Sequence, residues 1–270
     1  MRPYLLSLLF LFSLCAGYAQ KKATAQPTLT LAGLFNSNIS YYGQVTTEKY
    51  PYLLLNANYK LSSGLYFSAG GYKLLQGDSG ISETDLGLGY DHNFTEKLTA
   101  GIAYRHSFFK KDSPLLQAAN TDNVSLSVEN DWAVFKTSIM ADYAFGRQQD
   151  FFLSLSNSRE FIFGQLFDSK DQVSLEPAIE LVGGTYRFFD TYVEKINNGK
   201  GKGAGNGKTR IVEVPDSGFS PLSYNLRLPL NYYRGNYLAE ASYQVSVLGK
   251  KPEEIKPVQS FFGLAFYYQF

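Results

Sequence analysis

Residues 261–270 read FFGLAFYYQF. Taken in steps of two, Phe270, Tyr268, Phe266, Leu264 and Phe262 form one apolar face. Gln269, Tyr267, Ala265, Gly263 and Phe261 form the other, which is smaller and more polar in its middle. A strand has period two, so such a segment predicts one face in an apolar medium and the other elsewhere.

The same alternation recurs upstream. It predicts twelve antiparallel strands, at 28–42, 51–61, 65–75, 83–94, 98–108, 122–130, 132–145, 150–164, 172–186, 219–232, 237–248 and 259–270. In the eleventh, Tyr237, Ala239, Ala241, Tyr243, Val245 and Val247 oppose Glu240, Ser242, Gln244 and Ser246. In the third, Tyr66, Ser68, Gly70 and Tyr72 compete with Leu65, Phe67, Ala69 and Gly71 for the apolar side. In the eighth, Phe151, Leu153 and Leu155 share parity with Asn157 and Arg159, which suggests a bulge or an early exit. Pro177, Pro221 and Pro229 fall inside expected strands. Since proline cannot donate to a ladder, each implies a bulge, a strand end or a misplaced boundary. Ten or fourteen strands also fit.

The segments are long enough to cross a bilayer at a tilt, which takes about 9–11 residues. Their connections alternate between short and long. Short ones fall at 62–64, 95–97, 130–131, 168–171 and 233–236; longer ones at 43–50, 76–82, 109–121, 187–218 and 249–258. Residues 146–149 are a short exception on the long side. Transmembrane barrels have short periplasmic turns and longer outer loops. With an even strand count, both termini are then periplasmic. A soluble barrel or sandwich would show the same alternation turned inside out. Long strands, charges at mid-strand and aromatics at strand ends favour the membrane form.

A chain that stops on an aromatic at the end of such a strand resembles the outer-membrane β-barrels of Gram-negative bacteria. The resemblance covers the whole mature chain as a class. It implies that the barrel-assembly machinery reads Phe270, Tyr268 and Phe266 as an insertion signal. It supplies no ligand and no functional residues.

The front of the chain agrees. Arg2, the apolar run 4–15 and Gly17-Tyr18-Ala19 form the pattern of a secretory signal peptide. Cleavage is expected after Ala19, which leaves residues 20–270 as a single all-β domain. Lipidation at Cys15 is the rival reading, although Leu14 is large for such a site. Cys15 is the sole cysteine, so the processed chain carries no disulfide, thiolate site or cysteine nucleophile. A net charge of +1 gives no reason to expect nucleic acid. Aromatics make up 16% of the chain against 18% charged residues, a load that suits interfacial girdles.

Catalysis finds little support. A serine hydrolase needs a base beside its hydroxyl. The only histidines, His92 and His106, are expected at opposite ends of neighbouring strands. No metal or cofactor is expected. Gly203–Thr209 is one residue short of a phosphate loop and lacks the flanking strand and helix. It belongs to a Gly-rich stretch in the outer loop 187–218, made basic by Lys200, Lys202, Lys208 and Arg210. That loop is expected to contact anionic surface polysaccharide or fold into the mouth, or else simply to be solvated.

The lumen face is the best place to seek function. By parity, Asp85, Arg105, Glu129, Lys136, Asp142, Glu176, Glu180, Arg227 and Glu240 point inward. Arg227 falls diagonal to Glu240, with Glu176 and Glu180 within range on the other neighbour. These residues, with Arg105, Lys136 and Asp142, form either a charged constriction in a channel or an ion-pair network filling a closed interior. The first reading is a porin-like passive channel for small solutes in the outer membrane. The second is a non-conducting docking barrel that acts through its outer loops among outer-membrane lipid and polysaccharide. A lipid-acting enzyme is a distant third.

Overall fold

The computed structural model describes residues 26–76, 80–110, 113–188, 218–249, 251 and 254–270. The expected signal peptide, residues 1–19, and the cations Lys200, Lys202, Lys208 and Arg210 lie outside these residues.

Each segment of alternating residues becomes a strand. The strands are β1 (Thr28–Asn36), β2 (Tyr52–Lys60), β3 (Leu65–Leu74), β4 (Glu83–Asn93), β5 (Leu98–Phe109), β6 (Asp122–Asp131) and β7 (Lys136–Phe145). There follow β8 (Gln149–Ser158), β9 (Phe161–Gly164), β10 (Asp171–Leu175), β11 (Ala178–Gly184), β12 (Ser220–Arg234), β13 (Tyr237–Leu248) and β14 (Val258–Gln269). β8 with β9, and β10 with β11, are two interrupted staves, so the wall is a closed antiparallel barrel of twelve. β1 pairs with β14 and closes it, with Leu31 opposite Tyr268 and Phe35 opposite Leu264. Closure gives every stave two neighbours, as a hydrocarbon medium requires, and among the described strands the short β9 alone pairs on one side, with β10.

Register fixes the faces. Leu55 lies opposite Gly71, Phe67 opposite Leu88, and Leu88 opposite Tyr104. This row continues through Val124, Tyr143 and Phe151 and points outward. In β3, Phe67 and Ala69 therefore face out, while Tyr66, Ser68, Gly70 and Tyr72 face in. The outward leucines, isoleucines and phenylalanines are exposed, Leu55 at 70% and Phe266 at 50%. An apolar surface wrapping a polar interior inverts a soluble barrel and matches a lipid-facing wall. Five short turns and both described termini share one end of the barrel, the turn end. The longer connections share the other, the loop end.

The three prolines mark defects of the wall. At Pro221 the ladder slips, with Val182 opposite Ser223 but Gly183 opposite Pro221. Leu222 and Ser223 both turn inward there and are buried. Pro177 and Pro229 share a second defect. Arg159 donates its backbone N–H to Pro177 O at 3.2 Å, and Glu176 donates to Pro229 O at 3.1 Å. Neither proline can return the bond. Two adjacent half-made pairs result, and they account for the interruptions at Arg159-Glu160 and Glu176-Pro177.

β1 is shorter than its pattern predicts. The alternation runs to Tyr42, yet the strand ends at Asn36. Asn38 Oδ1 accepts the N–H groups of Ile39 at 3.0 Å and Tyr50 at 2.7 Å, which turns the chain out of the wall. Residues 37–46 then run into the lumen, and the exposed residues 47–49 lead back to β2.

Candidate functional site: a tyrosine-tipped hairpin in the lumen

The inward segment is a tight hairpin. Tyr41 and Gln44 exchange backbone hydrogen bonds at 2.9 Å around Tyr42 (φ 52°) and Gly43 (φ 82°). Two positive φ values define a type I′ turn, which favours Asn-Gly. Gly43 is obligatory, because a Cβ there would lie 2.0 Å from Ser223 Oγ on β12. Tyr42 is the only described residue other than glycine with positive φ. Such a conformation costs about 1–2 kcal/mol. Its ring stacks on Phe152 of β8, with centroids 3.6 Å apart and planes at 10°. An aromatic pair contributes about 0.5–1.5 kcal/mol beyond its buried area, enough to offset most of the strain.

Polar contacts tie the hairpin to the far wall. Gln44 Nε2 donates to Leu222 O at 2.7 Å, and Tyr186 Oη donates to Gln44 Oε1 at 3.2 Å. Ser223 Oγ donates to Tyr42 O at 3.2 Å. Tyr41 meets Phe152 and Phe188 edge-on, and Val45 is 1% exposed. Burial pushes the hydroxyls of Tyr41 and Tyr42 above the ordinary phenol range, so both remain protonated.

A second connection completes the stopper. Between β5 and β6 a 3-10 turn, Leu116–Ala119, lies across the short Gly146–Gln148 link. Ala119 O accepts the N–H groups of Arg147 and Gln148. Leu115 and Ala118 pack with Ile39 and Leu74, while Leu116 and Ala119 join Tyr41, Val45 and Phe152. Asp150 supports this layer by accepting from Asn120 Nδ2, Thr185 Oγ1 and Arg187 N. The loop end of the lumen is thus filled with apolar side chains.

Below the stopper the interior is polar. Tyr42 and Met140 border two chambers. One, of about 370 Å³, is lined by Glu180, Asn225, Gln244, Ser138, Ser154 and Ser156, among others. The second, of about 300 Å³, is lined by Arg105, Asp142, Asn123, Ser125, Tyr66 and Ser68, among others. Asp142 accepts from Ser125 Oγ in a very short hydrogen bond. Arg105 faces Asp85 and Glu83; Ser107 Oγ donates to Asp85 at 2.5 Å and Gln117 Nε2 to Glu83 at 3.1 Å.

Ion pairs lie nearer the turn end. Arg227 Nη2 meets Glu240 Oε1 at 2.5 Å, the expected pair, although the register sets Arg227 opposite Gln244 and Glu240 opposite Asn231, so the contact spans four residues rather than a simple diagonal. Lys136 and Glu129 stand 3.6 Å apart. Glu176 and Glu180 do not join Arg227. Ser158 Oγ donates to Glu176 at 2.8 Å, and Asn225 Nδ2 donates to Glu180 at 2.8 Å. Each takes a neutral donor from a neighbouring strand, because that donor lies closer than the guanidinium.

Sequence reasoning missed several inward groups. Lys60 pairs with Asp91 at 2.5 Å, and Glu83, Asp150 and Glu160 also point inward. In β4, Glu83 and Asp91 share the parity of Asp85, a signal that was available. The inward hairpin had no such signal. His92 and His106 lie at opposite ends, as expected. His92 faces Tyr90 Oη at 3.3 Å, while His106 Nδ1 lies 2.7 Å from Asp122 on the outward face.

No protein-family model and no curated protein matches the chain. Solved structures do. LpxR from Salmonella typhimurium, a barrel enzyme, aligns at TM-score 0.52 and 8% identity, over 88% of this chain and 99% of that one. The KdgM porin aligns at TM-score 0.50 and 10% identity, over 89% and 99%. An outer-membrane channel from Pseudomonas putida F1 aligns at TM-score 0.49 and 9% identity, over 94% and 99%. At such low identity the likeness concerns architecture alone. The chain has the fold of the outer-membrane β-barrel proteins.

Proposed function

We propose that the protein is a passive outer-membrane channel for small solutes, with the Tyr42 hairpin as its constriction. The observation that carries this reading is the uncompensated polarity of the lumen. Glu176 and Glu180 hold only neutral hydrogen-bond partners within a low-dielectric wall. Charges in that setting are costly unless water reaches them. A water-filled interior ringed by charge is what a selective pore requires. The turn end faces the periplasm in this reading, and the stopper faces outward.

Planar-bilayer conductance of the purified, signal-processed protein tests the proposal. Unitary current steps are expected, larger in variants that displace the hairpin. A barrel silent in both forms overturns it. Esterase assays on the same preparation test the non-enzymatic side of the reading.

One observation favours a second reading. The loop end is filled by two apolar clusters, which suits a non-conducting barrel that docks partners through its outer loops. Deleting Asn197–Lys208 would then abolish capture of surface polysaccharide while leaving heat-modifiable folding intact.

A further inference from the structure

We infer that the lumen selects small cationic solutes, in particular those carrying a protonated amine. The inference rests on the channel reading above and names its substrate class.

Charge balance is the first ground. Among the described residues the inward cations are already engaged. Lys60 holds Asp91, Lys136 faces Glu129, Arg227 holds Glu240, and Arg105 faces Glu83 and Asp85. Asp142, Glu160, Glu176 and Glu180 form no ion pair among these residues. Glu160 and Glu176 lie around Tyr233, toward the turn end. Glu180 lines the larger chamber, and Asp142 shares the smaller with Arg105, which faces Asp85 and Glu83. A solute entering from the turn end therefore meets negative charge at successive levels up to the hairpin. Low-dielectric walls focus such a field along the axis, which enriches cations and excludes anions.

The second ground is independent of net charge. Asn225 is 5% exposed, and its Nδ2 donates to Glu180 Oε2 and to Ser223 Oγ. The carboxylate fixes the amide in this orientation, since the reverse would set oxygen against oxygen. Asn225 Oδ1 is left buried at the chamber wall beneath Gly43 and accepts no hydrogen bond. An orphaned acceptor beside a carboxylate calls for a donor. An ammonium group carries three donors and no acceptor. It satisfies Glu180 at once, and Asn225 as the hairpin yields.

The test is the reversal potential of the full processed chain in planar bilayers under a KCl gradient, followed by partial block with ethylammonium chloride. Cation preference is expected, with block from the turn-end side. Glu176→Gln, Glu180→Gln and Asp142→Asn each keep the shape of the side chain. Each should lower the cation-to-anion permeability ratio roughly twofold, the Boltzmann factor of one charge about 8 Å from the path after screening. Heat-modifiable migration confirms that each variant folds. Anion preference, or a ratio unmoved by Glu176→Gln and Glu180→Gln together, overturns the cation assignment and leaves the channel reading standing. A membrane silent with wild type and with a hairpin-displaced variant removes both.

Discussion

The ring of Tyr42 lies flat on that of Phe152, 3.6 Å away, although Tyr42 follows β1 and Phe152 belongs to β8 on the other side of the lumen. The contact holds a residue in the left-handed region, where only glycine, asparagine and aspartate rest easily. Tyr42→Asn removes the stack and the strain together. Its stability should stay within about 1 kcal/mol of wild type. Single-channel conductance should rise because the ring no longer narrows the lumen. Equal conductance would show that Tyr42 is not the constriction.

Gly43→Val attacks the same hairpin from the backbone. Its Cβ would overlap Ser223 Oγ, at a φ of 82° that a β-branched residue resists. The hairpin should leave the wall, at a cost of about 1–3 kcal/mol. Thermal unfolding in detergent micelles should report that loss, while the twelve-stave wall persists as heat-modifiable migration.

Arg227→Ala leaves Glu240 with 13% of its side chain exposed and no counter-ion. The pair lies between surface and core, so the loss should be about 1–3 kcal/mol. Glu240→Gln in the same chain should restore most of it. Removing a lumen cation should also raise the preference for cations. An unchanged reversal potential would place Arg227 off the permeation path.

Removing residues 259–270 deletes nearly all of β14, which pairs with both β1 and β13. The edges left behind would expose unpaired N–H and C=O groups to lipid, at several kcal/mol per group. Membrane insertion should fail, and the band should no longer shift with heating. A persisting shift would mean that β1 and β13 close the wall without β14.

The wall was legible in the sequence because alternation and register obey one rule. Once Leu86 and Tyr104 are known to face lipid, every neighbour on the same row follows. The two strand interruptions were also legible, since Pro177 and Arg159 broke the pattern at the places where the ladder breaks. The hairpin was not. Ile39 and Tyr41 continue the alternation of β1, and an apolar residue reads alike whether it meets lipid or a buried stopper. Tyr-Gly is also a poor sequence signal for a type I′ turn, as its first position is held by stacking on a residue 110 positions away. The partners of Glu176 and Glu180 were hidden for a related reason. Parity gives direction, but the choice between Arg227 and a nearby serine or asparagine depends on distances of an ångström or two.

The shared defect at Pro177 and Pro229 gives the cylinder a crease. Away from this crease, the slip at Pro221 and the shift between β9 and β10, the staves are stitched to their neighbours by reciprocal bonds, and the cross-section resists flattening. Along the crease two consecutive stitches are single, so the ring should bend there first as bilayer thickness or lateral pressure changes. Glu176 sits on that line, so the wall beside its carboxylate should respond to the lipid around it. Amide exchange in nanodiscs of graded acyl length should show Arg159 and Glu176 exchanging early, and earlier still in the thinner bilayers.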